Sequence, residues 1–145
     1  MGHTVCFTIP GDPVGKGRAR SAAAGIHYTP EKTRNYEAFV RMLAREAMSG
    51  RPPHQGMCWA TIIVNYSVPK SVNRKRRESM LQNDERPMKR PDIDNVVKAI
   101  FDASNGIVFV DDCQVVKMVI GKYYAEVAHT FVRFEMVEQG DLGQC

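Results

Sequence analysis

A chain of 145 residues, 43% hydrophobic and 25% charged, can bury a core that needs no disulfide or structural metal, and one domain over residues 1–145 is the expectation. Twenty Lys and Arg against sixteen Asp and Glu leave a net charge of +4, which permits an anionic partner without demanding one. Cys6, Cys58, Cys113 and Cys145 stand singly, so neither a Cys-x-x-Cys metal or redox pair nor a disulfide is expected; with no apolar run near the roughly 20 residues of a membrane span and no signal-peptide pattern, the reading is a cytoplasmic protein with no membrane partner.

The opening stretch VCFTIPG is rich in β-formers and ends on Pro10 and Gly11, which predicts a strand and a turn. GDPVGKGRARSAAAG follows as a Gly-rich basic loop. Thr29 offers an N-cap, Pro30 a first helical position, and Tyr36, Phe39, Val40, Leu43 and Ala47 recur at helical spacing before Gly50 ends the run. From Cys58 to Val68 the chain is β-branched and aromatic on both faces, the pattern of a central strand buried on both sides. Residues 70–90 carry eight basic and three acidic side chains, a local net of +5; their first half suits a short helix and their second half, bounded by Pro87 and Pro91, a loop. Pro91 and Asp92 open another helix with Ile93, Val97, Ile100 and Phe101 as its apolar stripe, ending at Asn105 and Gly106. IVFV reads as a short strand, and two longer strand patterns close the chain, Val115 to Tyr124 and Val127 to Val137. The sum is an α/β (α+β) fold, a mixed sheet flanked by helices.

Five aspartates within residues 90–116 interrupt these apolar runs. At a helix start, free N–H groups and the dipole favour carboxylates, so Asp92 or Asp94 alone reads as a cap; a doubled Asp-x-Asp leaves one unexplained. Asp94, Lys98 and Asp102 repeat every four residues on one helical face, a solvated ion-pair row in the bland reading. Asp111 and Asp112 follow the apolar GIVFV, where an unpaired carboxylate costs several kcal/mol to bury, although adjacent acids also mark ordinary turns. If the helix packs on the following strand, the two acidic groups converge, and converging carboxylates need a cation. Hard oxygen donors select Mg²⁺ or Mn²⁺ over zinc.

The run Arg90, Pro91, Asp92, Asp94, Asn95, Lys98, Asp102, followed by Asp111, Asp112, Gln114 and Val115, resembles the motif of the RusA family of Holliday junction resolvases, and FTIPGDPVGKGRAR and YTPEKTRNYE resemble the start of many members. The likeness covers all but the tail after Val137. It implies a small homodimeric, often phage-borne endodeoxyribonuclease in bacterial or phage-infected cells, with three aspartates holding a divalent metal and a lysine supporting catalysis. By position these are Asp92, Asp94 and Asp112 as metal ligands, with Lys98 as the catalytic lysine; the role of Asp111 stays open, since neighbouring strand residues point to opposite faces. The implied activity is Mg²⁺-dependent resolution of four-way junctions by paired, symmetric nicks, which a two-fold dimer suits.

Lys70, Arg74, Lys75, Arg76, Arg77, Arg86, Lys89 and Arg90 lead into the acidic site, as phosphate-binding charge flanking a metal pocket would, and Lys16, Arg18 and Arg20 form a smaller cluster for the DNA backbone. The alternative for the long segment is a solubilising loop. GDPVGKG has the wrong spacing, and Gly17 in place of Ser or Thr, for a phosphate loop, so no nucleotide cofactor is expected. His3, His27, His54 and His129 lack metal-binding spacing, and Trp59 and Tyr66 read as core. The rival function is a non-catalytic junction-binding module in which the acids only cap and pair.

Overall fold

The strand Cys58–Ser67 is the middle of the sheet, and its neighbours explain the rest of the architecture. The computed structural model describes residues 2–17, 20–21, 27–28 and 31–138. In chain order these form β1 (Thr4–Pro10), the two-residue strands β2 (Arg20–Ser21) and β3 (His27–Tyr28), α1 (Glu31–Met48), β4 (Cys58–Ser67), α2 (Arg74–Leu81), α3 (Ile93–Ser104), a 3₁₀ turn (Asp112–Gln114), β5 (Val115–Ala125) and β6 (His129–Met136). The main sheet runs β1-β6-β4-β5, with β4 parallel to β5 and antiparallel to β6, so it is mixed as expected. β5 and β6 are consecutive yet flank β4 on opposite sides. The helix from Thr29 begins at Glu31 among the described residues, and Thr29 and Pro30 lie outside them.

The core lies on one face of this sheet. Tyr36, Val40, Ala44 and Met48 of α1 and Val96, Ala99, Ile100 and Ala103 of α3 bury themselves with alternate residues of β1, β4 and β6 in one cluster. Burial along β4 alternates strictly, so the expectation of a strand buried on both sides is corrected: Trp59, Thr61, Ile63 and Asn65 are only half-buried on the second face. Their β-branched and aromatic character reflects a fit to the pleat rather than double coverage.

Two further readings are corrected. IVFV is not a strand: residues 106–108 form a turn and Phe109 makes only isolated bridges to His54 and Asn105. The run is apolar because Phe109 is a plug, its ring 5.4 Å from Phe134 and 6.1 Å from Phe101. Gly106, at φ 77°, makes the reversal possible and donates its N–H to the Phe109 carbonyl at 2.8 Å. In α3 the buried stripe falls on Val96, Ala99, Ile100 and Ala103, with Val97 and Phe101 packed against its edge, while Ile93 is 39% exposed. Ile93 shares the face of Ile100, seven residues on, but stands at the first position of the helix, ahead of the first buried residue, Val96.

Candidate active site

The start of α3 is built by backbone packing rather than by caps. Asp92 is the N-cap residue, extended at φ −67° and ψ 150°, yet its side chain makes no capping hydrogen bond. Among the described residues neither Asp92, Asp94 nor Lys98 has a hydrogen bond or ion pair for its side chain, and all three are exposed. The Gly-rich loop straps this helix start: the Lys16 N–H donates to the Asn95 carbonyl at 2.9 Å, and a Cβ on Gly15 would stand 2.7 Å from the Pro91 Cβ. The loop that looked like a failed phosphate loop is therefore glycine-rich for close approach. A cleft of about 480 Å³ opens between it and Arg90 and Pro91, with Lys32 on its wall.

The second acidic group sits on a clamped turn. Asp111 caps the 3₁₀ turn and Gln114 closes a reciprocal box, its Oε1 accepting the Asp111 N–H at 2.9 Å. The same amide donates from Nε2 to the carbonyls of His54 at 2.7 Å and Gly56 at 2.8 Å, tying the turn to the loop that enters β4. Burial pushes the Asp112 carboxyl above its ordinary range, and its hydrogen bond to Asp111 and the charges of Asp111 and Asp102 push it further. Asp111 moves the other way, held down by hydrogen bonds from Asp112 and Cys113. Gln114 was legible in the sequence only as a motif match; its work is to hold the two acids in place.

One chain keeps these groups apart. Asp92 stands beside Tyr66, whose Oη reaches the Pro91 carbonyl at 3.5 Å and whose titration is raised by burial and then by Asp12 and Asp92. Asp112 precedes Val115, which pairs with Cys58 at the opposite end of β4. From Cys58 to Tyr66 the strand rises about 26 Å, and α3 spans about 18 Å in between. Among the described residues no three His, Cys, Asp or Glu side chains are placed to share a metal ion. The helical row is also not an ion-pair ladder: Asp102 pairs with Lys16 at 3.2 Å, and Lys16 with Glu37 at 2.6 Å. Burial alone would lower the Lys16 ammonium, but hydrogen bonds to these two carboxylates outweigh it and its affinity for the proton rises.

That knot changes the reading of the smaller basic cluster, since the charge of Lys16 is engaged between α1 and α3. Arg18 lies outside the described residues, as does the side chain of Arg20. In the larger segment, Asn73 caps α2 by accepting the Arg76 N–H at 2.8 Å, so the short helix forms where expected. Arg74 pairs with Glu78, Arg76 with both oxygens of Glu85, and Arg77 with Glu126. The Lys89 ammonium lies 5.1 Å from the centroid of the Tyr66 ring and the Arg86 guanidinium 4.3 Å from that of Tyr123. Lys75 and Arg90 are exposed and, among the described residues, keep their charge unpaired. The basic surface thus leads from α2 across Tyr66 to the Asp92 end of α3.

A family model for the endodeoxyribonuclease RusA matches residues 10–135. The chain belongs to the RusA endodeoxyribonuclease family. A protein of Bacillus subtilis (strain 168) named Uncharacterized protein YqaN is 33% identical over 127 residues, covering 83% of this chain and 87% of that one. Membership makes the chain a nuclease of DNA at the level of its family, whose substrates are branched DNA, and the mixed four-stranded sheet with three helices suits it. The RusA motif residues supply the hard oxygen donors a divalent cation takes, but one chain does not gather Asp92, Asp94 and Asp112 into a single centre. Among the described residues no helix is long and apolar enough to cross a membrane, and Cys6, Cys58 and Cys113 are free thiols.

Proposed function

We propose that this chain is a Mg²⁺-dependent, junction-selective endodeoxyribonuclease that resolves four-way junctions by symmetric nicks, acting as a homodimer in the cytoplasm of a bacterial or phage-infected cell. The observation that carries this reading is the family match over residues 10–135; the acids Asp92 and Asp94, unpaired among the described residues and beside the cations of the 70–90 segment, support it. Arg90 and Lys75 hold backbone phosphates. Lys98, one turn along α3 from Asp94, offers its Nζ protons to a non-bridging oxygen of the scissile phosphate. Asp94 accepts a hydrogen bond from the attacking water, orienting it along the line of the breaking bond. Mg²⁺, with Mn²⁺ as a substitute, is the cofactor of this reading, held by carboxylates that one chain leaves apart. That separation is also the observation favouring a second reading, a junction-binding module without catalysis.

The deciding experiment incubates purified protein with a labelled four-way junction and a matched linear duplex, with and without Mg²⁺. Paired, metal-dependent nicks on the junction alone are expected. Tight junction binding with intact strands in Mg²⁺ and in Mn²⁺ would instead establish the binding module.

A further inference from the structure

We propose that the face of the sheet turned away from α1 and α3 is a platform for an unpaired strand of DNA, its bases stacked on Trp59, Phe131 and Tyr123 and its phosphates held by Lys117, Arg133 and Arg86. The proposal rests on the DNA-nuclease reading for its ligand, since branched DNA can expose unpaired strand beside its paired arms. The surface itself is read from Trp59 and its neighbours, which that reading leaves idle.

The two faces of the sheet differ in what covers them. Alternate residues of β1, β4 and β6 enter the core with α1 and α3, and the residues between them face away. On that second face Trp59 pairs with Lys117, Ile63 with Phe131 and Gly121, and Asn65 with Tyr123. Trp59, Ile63, Phe131 and Tyr123 are each only half-buried. Large apolar side chains gathered on a face that the core helices leave uncovered mark a surface for a partner.

Ring geometry and charge together select an unpaired strand as that partner. A Cβ on Gly121 would stand 2.7 Å from the Tyr123 Cε2 and 3.0 Å from its Oη, so the glycine lets the ring lie down along β5. Arg86 stacks its guanidinium 4.3 Å over that ring, and Lys117 sets its ammonium 4.4 Å over Trp59. Arg133 stands between them in the sheet; its Nε is buried without a hydrogen-bond partner among the described residues, 4.0 Å from a Glu135 oxygen. Of the described side chains that the four main strands turn to this face, Glu135 is the one carboxylate, against Lys117 and Arg133. A protein partner would strip water from these cations, whereas phosphates match them. A duplex hides its base faces in its own stack, and an unpaired strand presents them to the rings. From Lys117 to Tyr123 β5 rises about 20 Å, enough for the shortest single-strand sites, of about four nucleotides. At the Trp59 end the face deepens into a hollow of about 330 Å³ walled by His3, Thr4 and Glu135, the small end of ligand-sized sites and room for one base beside the indole.

Trp59 is the only tryptophan of the chain, so its emission reports this face directly. The full chain is titrated, without divalent metal, with a single-stranded oligonucleotide of mixed, non-pairing sequence and with a matched duplex. Saturable quenching of Trp59 by the single strand, and little by the duplex, is expected. Phe131→Ala and Tyr123→Ala should each weaken that binding by roughly 5- to 100-fold. Lys117→Gln with Arg133→Gln, which keeps the rings, should flatten the dependence of log affinity on log salt by about 1 to 1.5. Equal quenching by the duplex overturns the single-strand assignment. Binding seen by fluorescence anisotropy of a labelled oligonucleotide, with Trp59 unquenched, places the strand on the basic surface of α2 and overturns the platform. Emission that ignores the oligonucleotide and shifts with protein concentration gives the face to a second copy, and overturns it too. Nicking is not read in these titrations, so the two readings fail separately. A chain that quenches with the single strand yet never nicks a junction defeats the nuclease reading alone, and one that nicks junctions with Trp59 unmoved defeats the platform alone.

Discussion

The two acidic ends of the molecule present the same residue type in opposite ways. At the start of α3, Asp92 and Asp94 are exposed and, among the described residues, unpaired, on a backbone that Gly15 and Lys16 strap in place. At the 3₁₀ turn, Asp111 and Asp112 are fixed by three hydrogen bonds of Gln114, and Asp112 retains its proton more readily than an ordinary carboxyl. The first end stores no stability in its side chains, and the second couples stability to its charge state. Substitutions should therefore separate activity from stability at one end and move them together at the other.

The largest effect is expected at the free end. Asp94→Asn should reduce junction cleavage by on the order of 100- to 1,000-fold, with junction affinity and melting temperature unchanged; cleavage at the parental rate would remove Asp94 from the site. At the clamped end, Phe109→Ala should cost about 3–5 kcal/mol of unfolding free energy, because the ring fills the space between Phe101 and Phe134 beneath the turn. Denaturant unfolding checks this, and a loss below about 1 kcal/mol would mean that the plug is not anchoring the turn. Gln114→Ala should fall between the two, losing about 1–3 kcal/mol along with cleavage. If stability alone moved, the clamp would not serve the acids.

A smaller effect concerns pH. Since the folded protein raises the Asp112 carboxyl, its contribution to stability is complete below the ordinary value of 3.8 and is lost as pH rises through the higher folded value. Asp112→Asn should therefore melt at a higher temperature than the parent at pH 7 and gain nothing at pH 3. A gain of equal size at both pH values would assign the effect to packing. The smallest change is expected from Lys75→Ala with Arg90→Ala, which should flatten the dependence of log affinity on log salt by about 1 to 2. An unchanged slope would return the 70–90 segment to a solubilising role.

Much of this was legible in residue order because it depends on local periodicity. The helix stopped by Gly50, the central strand from Cys58, the short helix in the basic segment and the last two strands all follow from spacing and stop residues a few positions apart. IVFV misled because an apolar run of four has no period of its own: a plug into the core and a buried strand look alike until Phe134 is seen against Phe109. Ile93 misled because a helical stripe is defined by what it packs on, and the buried residues of α3 begin only at Val96.

The same division holds for the candidate site. Sequence alone pointed to the family, which the match over residues 10–135 shows, and proposed the acids, the lysine and the basic approach, since each is a matter of residue type and spacing. Which of those charges remain free was decided by tertiary structure: Lys16 was spent on Glu37 and Asp102, and Arg76 on Glu85. So was the distance between the two acidic ends, because α3 runs back along β4 and a helix of 12 residues holds its termini apart whatever side chains it carries. Spacing along a chain specifies which groups share an element, while only the packing of elements specifies which groups can meet.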